Sequence, residues 1–139
     1  MHPGSGETDM ERYYLGQIML VGLGGFLGSG MRFALSGWAQ RLFQHSQFPI
    51  GTLTVNVLGC LLIGLIGGLA EQRQVVEPGV RLFLLVGVLG GFTTFSTFAY
   101  ESLALAQDAE YFRMMLNVML QVLVGFSAAW LGLVLARFI

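Results

Sequence analysis

Uncharged hydrogen-bonding side chains sit inside apolar stretches of this chain: Asn56, then Thr93, Thr94, Ser96 and Thr97, then Asn117 and Gln121. Phe95 and Phe98 fall in the middle group, three residues apart, so a helix carries both rings on one face. A phenyl ring is negative on its face and positive at its edge. A column of ring edges and amide N–H groups therefore suits a small, hard anion without any fixed positive charge. The missing charge favours throughput, because conduction requires binding weak enough to release. A simpler use stands beside this one. Amides and hydroxyls in membranes glue helices together, at roughly 0.6 to 2 kcal/mol per contact, and phenylalanines pack in a core or face lipid.

Other chemistries find little support. His2 lies near the start and His45 in a loop, so no paired histidine ligand set exists. There is no phosphate loop, dinucleotide fingerprint or nucleophile elbow. Cys60 is the only cysteine, which excludes an internal disulfide and a thiolate metal cluster, and it reads as a small apolar residue in a packed helix. No Asp or Glu falls at the middle of an apolar segment. That absence weighs against the competing function, a proton-coupled exporter of the small multidrug type, which requires a membrane-embedded glutamate in its first span.

The elements that hold these residues follow from the charge map. Of the 139 residues 55% are apolar and only 11% charged, where a soluble domain carries about a quarter charged. The charges cluster, leaving residues Tyr13 to Met31, Leu42 to Ala70, Leu82 to Tyr100 and Met114 to Ala136 free of them. Each segment is long enough to cross a bilayer, which takes roughly 18 to 20 residues. The expectation is an all-α integral membrane protein with four transmembrane helices. Residues 1–12 read as a disordered polar tail, and 13–139 as one transmembrane domain. Glu7 and Asp9, with no basic region before the first span, do not resemble a cleaved signal peptide.

The third span is the unusual one. Gly90 and Gly91 followed by Thr93 and Thr94 make a poor continuous helix, which predicts halves at about 79–90 and 94–107 with a break at mid-membrane. Unpaired backbone in hydrocarbon costs several kcal/mol per group, so such a break survives only when buried in protein or lining a hydrated cavity. Pro78 suits the first turn of that span. Asn117 and Gln121, at i and i+4, share one face of span four. Arg32, some 20 residues into the first helix, falls near the far interface, where snorkelling to headgroups is an alternative to a functional role. Small residues recur at helical spacing on every span: Gly24 and Gly28, Gly64 and Gly68, Gly87 and Gly91, Gly125 and Ala129. They predict contact surface beyond that of a monomeric bundle, and so a homo-oligomer. All seven basic residues are arginines. Arg12, Arg73, Arg81 and Arg137 lie on one side; Arg41 and Arg113, with Arg32 if interfacial, lie on the other. So weak a bias sets no orientation, and insertion in both is expected.

Three stretches, in order, resemble the Fluc/CrcB fluoride channel family: Gly24-Gly25-Phe26-Leu27-Gly28-Ser29-Gly30-Met31-Arg32, Gly51-Thr52-Leu53-Thr54-Val55-Asn56-Val57-Leu58-Gly59, and Gly90-Gly91-Phe92-Thr93-Thr94-Phe95-Ser96-Thr97-Phe98. The resemblance extends from about Gly16 to Phe138. It implies a passive fluoride channel in the bacterial inner membrane that exports the ion and limits its toxicity. It also implies an antiparallel, dual-topology homodimer with two pores. By motif position the pore residues are Asn56, Phe95 and Phe98, with the hydroxyls of Ser96 and Thr97 nearby; Arg32 stands near an aqueous vestibule and Glu101 just after the second half-helix. A central structural sodium ion is implied between the subunits, held by the backbone carbonyls of Gly90 and Thr93. For Glu101 a plain helix-end charge is the alternative. The family's span-four polar track is usually of hydroxyl residues, and Asn117 and Gln121 depart from it in type.

Overall fold

The structure is a computed structural model that describes residues 5–44, 46–73 and 77–139. Its regular elements are helical. Helix α1 is Ser5–Leu42 and α2 is Ile50–Arg73; α3 (Pro78–Arg81) runs through a π-helical stretch, Leu82–Leu89, into the short α4, Gly90–Phe92. After two residues come α5 (Phe95–Gln107) and α6 (Tyr111–Ala136). Four segments are long and apolar enough to cross a membrane: Met10–Leu42, Ile50–Glu71, Pro78–Gln107 and Tyr111–Ala136. The chain is a multi-pass, all-helical membrane protein.

Local chemistry explains most boundaries. Pro78 occupies the first turn of α3, where its missing N–H removes no helical bond. Gln40 fastens the α1–α2 connection from the end of α1. Gln40 Nε2 donates to the carbonyls of Ser46 and Phe48, at 3.3 and 3.2 Å, while its Oε1 accepts from Gly51 N–H at 3.0 Å. The expected turn over 45–49 includes His45, which lies outside the described residues. The first helix starts earlier than expected. Residues 5–12, read from sequence as a disordered tail, belong to α1, and residues 1–4 lie outside the description. No proline interrupts the chain between Pro3 and Pro49, so nothing stops the helix from extending back to Ser5.

The helices pack chiefly as two pairs, α2 along α6 and α1 along the π-helical stretch and α4. Helices in lipid gain little from the hydrophobic effect and associate by close backbone approach. A β-carbon on Gly28 would overlap the Val88 carbonyl, and one on Gly91 would stand 2.7 Å from the Gly25 carbonyl. In the other pair, a β-carbon on Gly64 would overlap the Ala129 carbonyl, and one on Gly132 that of Leu61. This corrects one expectation. The small-residue pairs do not form surplus surface for a second copy; they close the helix contacts of a single chain.

The packing predicts a contrast within α2. Gly64→Ala forces α6 away and should destabilise the protein by about 1–3 kcal/mol. Gly67 has nothing within 4 Å of its would-be β-carbon, so Gly67→Ala should be neutral or stabilise by up to about 1 kcal/mol. Thermal unfolding in detergent compares the two; equal midpoints would refute the contact.

Candidate functional site

Between α4 and α5 the backbone becomes extended, at Thr93 (φ −89°, ψ 159°) and Thr94 (φ −152°, ψ 113°). Side chains take up the donors that this releases. In an uninterrupted helix Thr94 N–H would serve the Gly90 carbonyl and Thr97 N–H the Thr93 carbonyl. Here Thr94 N–H donates to Asn56 Oδ1 at 2.8 Å, and Asn56 Nδ2 returns a bond to the Thr94 carbonyl at 3.0 Å. Thr97 N–H donates to Thr94 Oγ1 at 3.2 Å, which makes Thr94 the N-cap of α5. The Thr94 hydroxyl in turn donates to Thr97 Oγ1 at 2.9 Å. Both captures deprive Gly90 and Thr93 carbonyls of their helical donors. Arg32 Nη1 reaches the Thr93 carbonyl at 3.4 Å. Gly59 makes room for this segment, because a β-carbon there would overlap the Thr93 methyl group.

Past the interruption, the Phe95 and Phe98 rings meet edge to face, with centroids 5.4 Å apart and planes at 67°. Both line a cavity of about 390 Å³ together with Asn56, Thr93, Thr94 and Gln121. No charged side chain lines it. Asn56 Nδ2 also donates to Gln121 Oε1 at 3.0 Å, which joins α2 to α6 across the cavity wall. Phe95 is 79% exposed, so its own chain leaves most of the ring to lipid or to another copy.

A second cavity, about 740 Å³, shares Thr94 with the first and is lined by Arg32, Ser36, Thr52, Thr97 and Glu101 among others. Glu101 Oε1 accepts from Thr52 Oγ1 at 2.8 Å, while Oε2 is buried without a partner. Thr94 lines both cavities. One is thus charged and polar, the other apolar with amides and ring edges.

The residues singled out from sequence divide accordingly. Asn56, Thr93, Phe95, Phe98 and Gln121 share the uncharged cavity; Arg32, Thr97 and Glu101 share the charged one. Ser96 and Asn117 line neither. Ser96 is exposed, its Oγ 3.4 Å from Thr94 Oγ1. Asn117 is fully buried between α5 and α6, its Nδ2 donating to Ser102 Oγ at 3.0 Å. Sharing a helix face with Gln121 does not bring it to the cavity, because Ser102 holds it one turn away. Thr52 was missed. Its signal was its spacing: four residues before Asn56, it stands on the same face of α2 one turn earlier.

Among the described residues, no group of three or more His, Cys, Asp or Glu side chains is placed to hold a metal. Backbone is the remaining source of ligands. The carbonyls of Gly90 and Thr93, released from helical donors, have the chemistry that a hard monovalent cation requires. Carbonyl oxygen of this kind suits a sodium ion, although Arg32 Nη1 stands 3.4 Å from the Thr93 oxygen and competes for it.

Fold and site together define a small membrane protein with four spans and an uncharged cavity lined by amides and phenyl rings. The chain belongs to the CrcB-like family: the family model for CrcB-like protein, camphor resistance, matches residues 19–133. It is similar to the fluoride-specific ion channel FluC 3 of Methanosarcina barkeri, at 44% identity over 83% of this chain and 86% of that protein. It is 45% identical to the fluoride-specific ion channel FluC of Nitratidesulfovibrio vulgaris, over 88% of this chain and 98% of that one. A FluC channel of Methylobacillus flagellatus is 41% identical over 87% and 94%.

Asn56→Ala leaves the Thr94 N–H and carbonyl without partners, at about 1–3 kcal/mol for each buried group. A clear drop in thermal midpoint in detergent is expected. An unchanged midpoint would show that the interruption does not depend on this amide.

Proposed function

We propose that this protein is a fluoride-selective channel through which the anion leaves the cell passively. The observation that carries the reading is the uncharged cavity that gathers Asn56, Phe95, Phe98 and Gln121. The names of the three relatives above support it. Fluoride is small and hard, and hydrogen fluoride is a weak acid that enters cells uncharged and dissociates inside. A passive exit for the anion is therefore protective. The ion is partly dehydrated in the charged cavity near Arg32 and Glu101, then passes Thr94 to the amides and phenyl edges beyond. The ring edges offer positive potential without a full charge, so the ion is held weakly enough to move on.

In this reading the working unit is an antiparallel homodimer with two pores in the bacterial inner membrane. The weak arginine asymmetry supports insertion in both orientations, and the exposure of Phe95 supports a neighbour that completes the pathway. The interruption at Thr93 and Thr94 lies at mid-membrane on the two-fold axis, where Gly90 and Thr93 carbonyls of both copies hold a structural sodium ion. When bound, that ion supplies a fixed positive charge between the pores and ties the two interruptions together. Arg32 and Glu101 shape the aqueous approach, and Ser96 lies on the exposed side of α5, towards the neighbouring copy.

Reconstitution in liposomes tests the proposal, with ion-selective electrodes following fluoride and chloride efflux. Fluoride should leave rapidly and chloride hardly at all. Chloride release at a comparable rate would sink the selectivity, and release of neither ion would sink the channel. Phe95→Ile, which removes a ring edge but keeps the bulk, should slow fluoride efflux at least tenfold while the dimer persists on size exclusion. Parental flux in this variant would remove Phe95 from the pore.

A further inference from the structure

Helix α1 begins at Ser5, well before residue 19, where the family match starts. Four residues of this leading part, Arg12, Tyr13, Gly16 and Gln17, line a groove of about 680 Å³ together with Leu20. The opposite wall is the start of the third span, at Glu77, Pro78, Gly79 and Leu82. The groove exists because α1 packs closely on the π-helical stretch and α4 but scarcely touches α3. Tyr13 and Tyr14 meet edge to face at its mouth, with centroids 6.1 Å apart. Tyrosine and tryptophan settle at headgroup level. Tyr13 and Trp38 stand about 38 Å apart along α1 at the rise of an α-helix, close to the roughly 40–45 Å of a bilayer with its headgroup regions. The groove therefore opens at the membrane surface, and from Arg12 to Leu20 it descends about 12 Å.

Its chemistry changes with depth. A guanidinium and a carboxylate stand at the rim, the Gln17 amide comes next, and Leu20 and Leu82 line the deep end. Gly16 keeps the middle open, with nothing within 4 Å of its would-be β-carbon. Arg12 and Glu77 do not pair with each other, and among the described residues neither makes a hydrogen bond or an ion pair. We infer that this groove binds a phospholipid whose headgroup carries both a phosphate and a primary ammonium, as phosphatidylethanolamine does. The Arg12 guanidinium suits the phosphate, which it can grip with two parallel N–H donors. Glu77 suits the ammonium, the Gln17 amide an ester carbonyl, and the two leucines the first part of an acyl chain. A phosphatidylglycerol headgroup has no cation for Glu77 and would set its own negative charge beside that carboxylate. A choline headgroup carries the positive charge but has no N–H to donate.

Native mass spectrometry of the purified full-length protein tests the site, after loading from micelles that hold equal amounts of phosphatidylethanolamine, phosphatidylcholine and phosphatidylglycerol. The parent should retain the ethanolamine lipid at least fivefold over the glycerol lipid and about threefold over the choline lipid. Equal retention of the three overturns the proposal. Glu77→Lys replaces the carboxylate with a second cation and should invert the preference towards phosphatidylglycerol. Arg12→Gln should lower retention of the ethanolamine lipid at least fivefold. Gly16→Leu places a side chain in the opening without meeting another helix, and leucine is the better helix former, so the fold is kept while the lipid is shut out. Its thermal midpoint in detergent should match the parent's and its lipid retention should fall at least fivefold. A parental preference in Glu77→Lys, or parental retention in Gly16→Leu, places the lipid elsewhere and overturns the site.

Discussion

A side-chain amide is a copy of a peptide group, and Asn56 uses that likeness at Thr94. It presents a carbonyl and an N–H to the backbone at the residue where the helix ladder is interrupted, and both bonds are short. The extended conformation of Thr93 and Thr94 would otherwise leave polar backbone exposed to an apolar surround, which hydrocarbon does not tolerate. With these groups satisfied from α2, the helix can restart at Phe95 on the Thr94 cap. The restart sets the position of both phenylalanines. The same amide then orients Gln121 on α6. Interruption, ring pair and the orientation of Gln121 thus depend on one residue of the second span.

The packing of the bundle gives this network its leverage. Each helix pair is closed by glycine contacts so near that a single added carbon would overlap backbone. Asn56 belongs to one pair and Thr94 follows the other, so the Asn56–Thr94 bonds cross the seam between them, while the Asn56–Gln121 bond ties the two members of the first pair. A seam held by uncharged groups avoids the desolvation cost of a buried ion pair. It also leaves the cavity without a charged side chain, with Arg32 and Glu101 lining the neighbouring one instead.

The four spans were legible in the sequence because hydrocarbon excludes charge so strongly that the gaps between arginines and acids outline the helices. The shared face of Phe95 and Phe98 was legible in their spacing, whereas the company of Asn56 was implied only by the family resemblance. Other features depend on geometry that no spacing records. Gly24 and Gly64 read as surface for a partner because a glycine shows that a backbone comes close, not which one. Asn117 and Gln121 read alike on one helical face, yet Ser102 on α5 claims the first and Asn56 on α2 the second. Arg32 read as interfacial by its depth, and its reach to the Thr93 carbonyl came only from the path of α1 past the interruption. The helix over residues 5–12 was hidden by polar composition, which tells of solvent exposure rather than of backbone shape.

Val55 and Asn117 are the largest side chains wholly enclosed by the chain, while rings such as Phe95, Phe126 and Phe138 remain mostly uncovered. A bundle with so little interior has little structure to lose by meeting another copy. If conduction needs that meeting, the active species forms by mass action within the plane of the bilayer. At low density, conductance would rise with the square of the amount of protein inserted rather than in proportion to it. Protection against the anion would then switch on over a narrow range of expression, with the density of the protein in the membrane acting as the control.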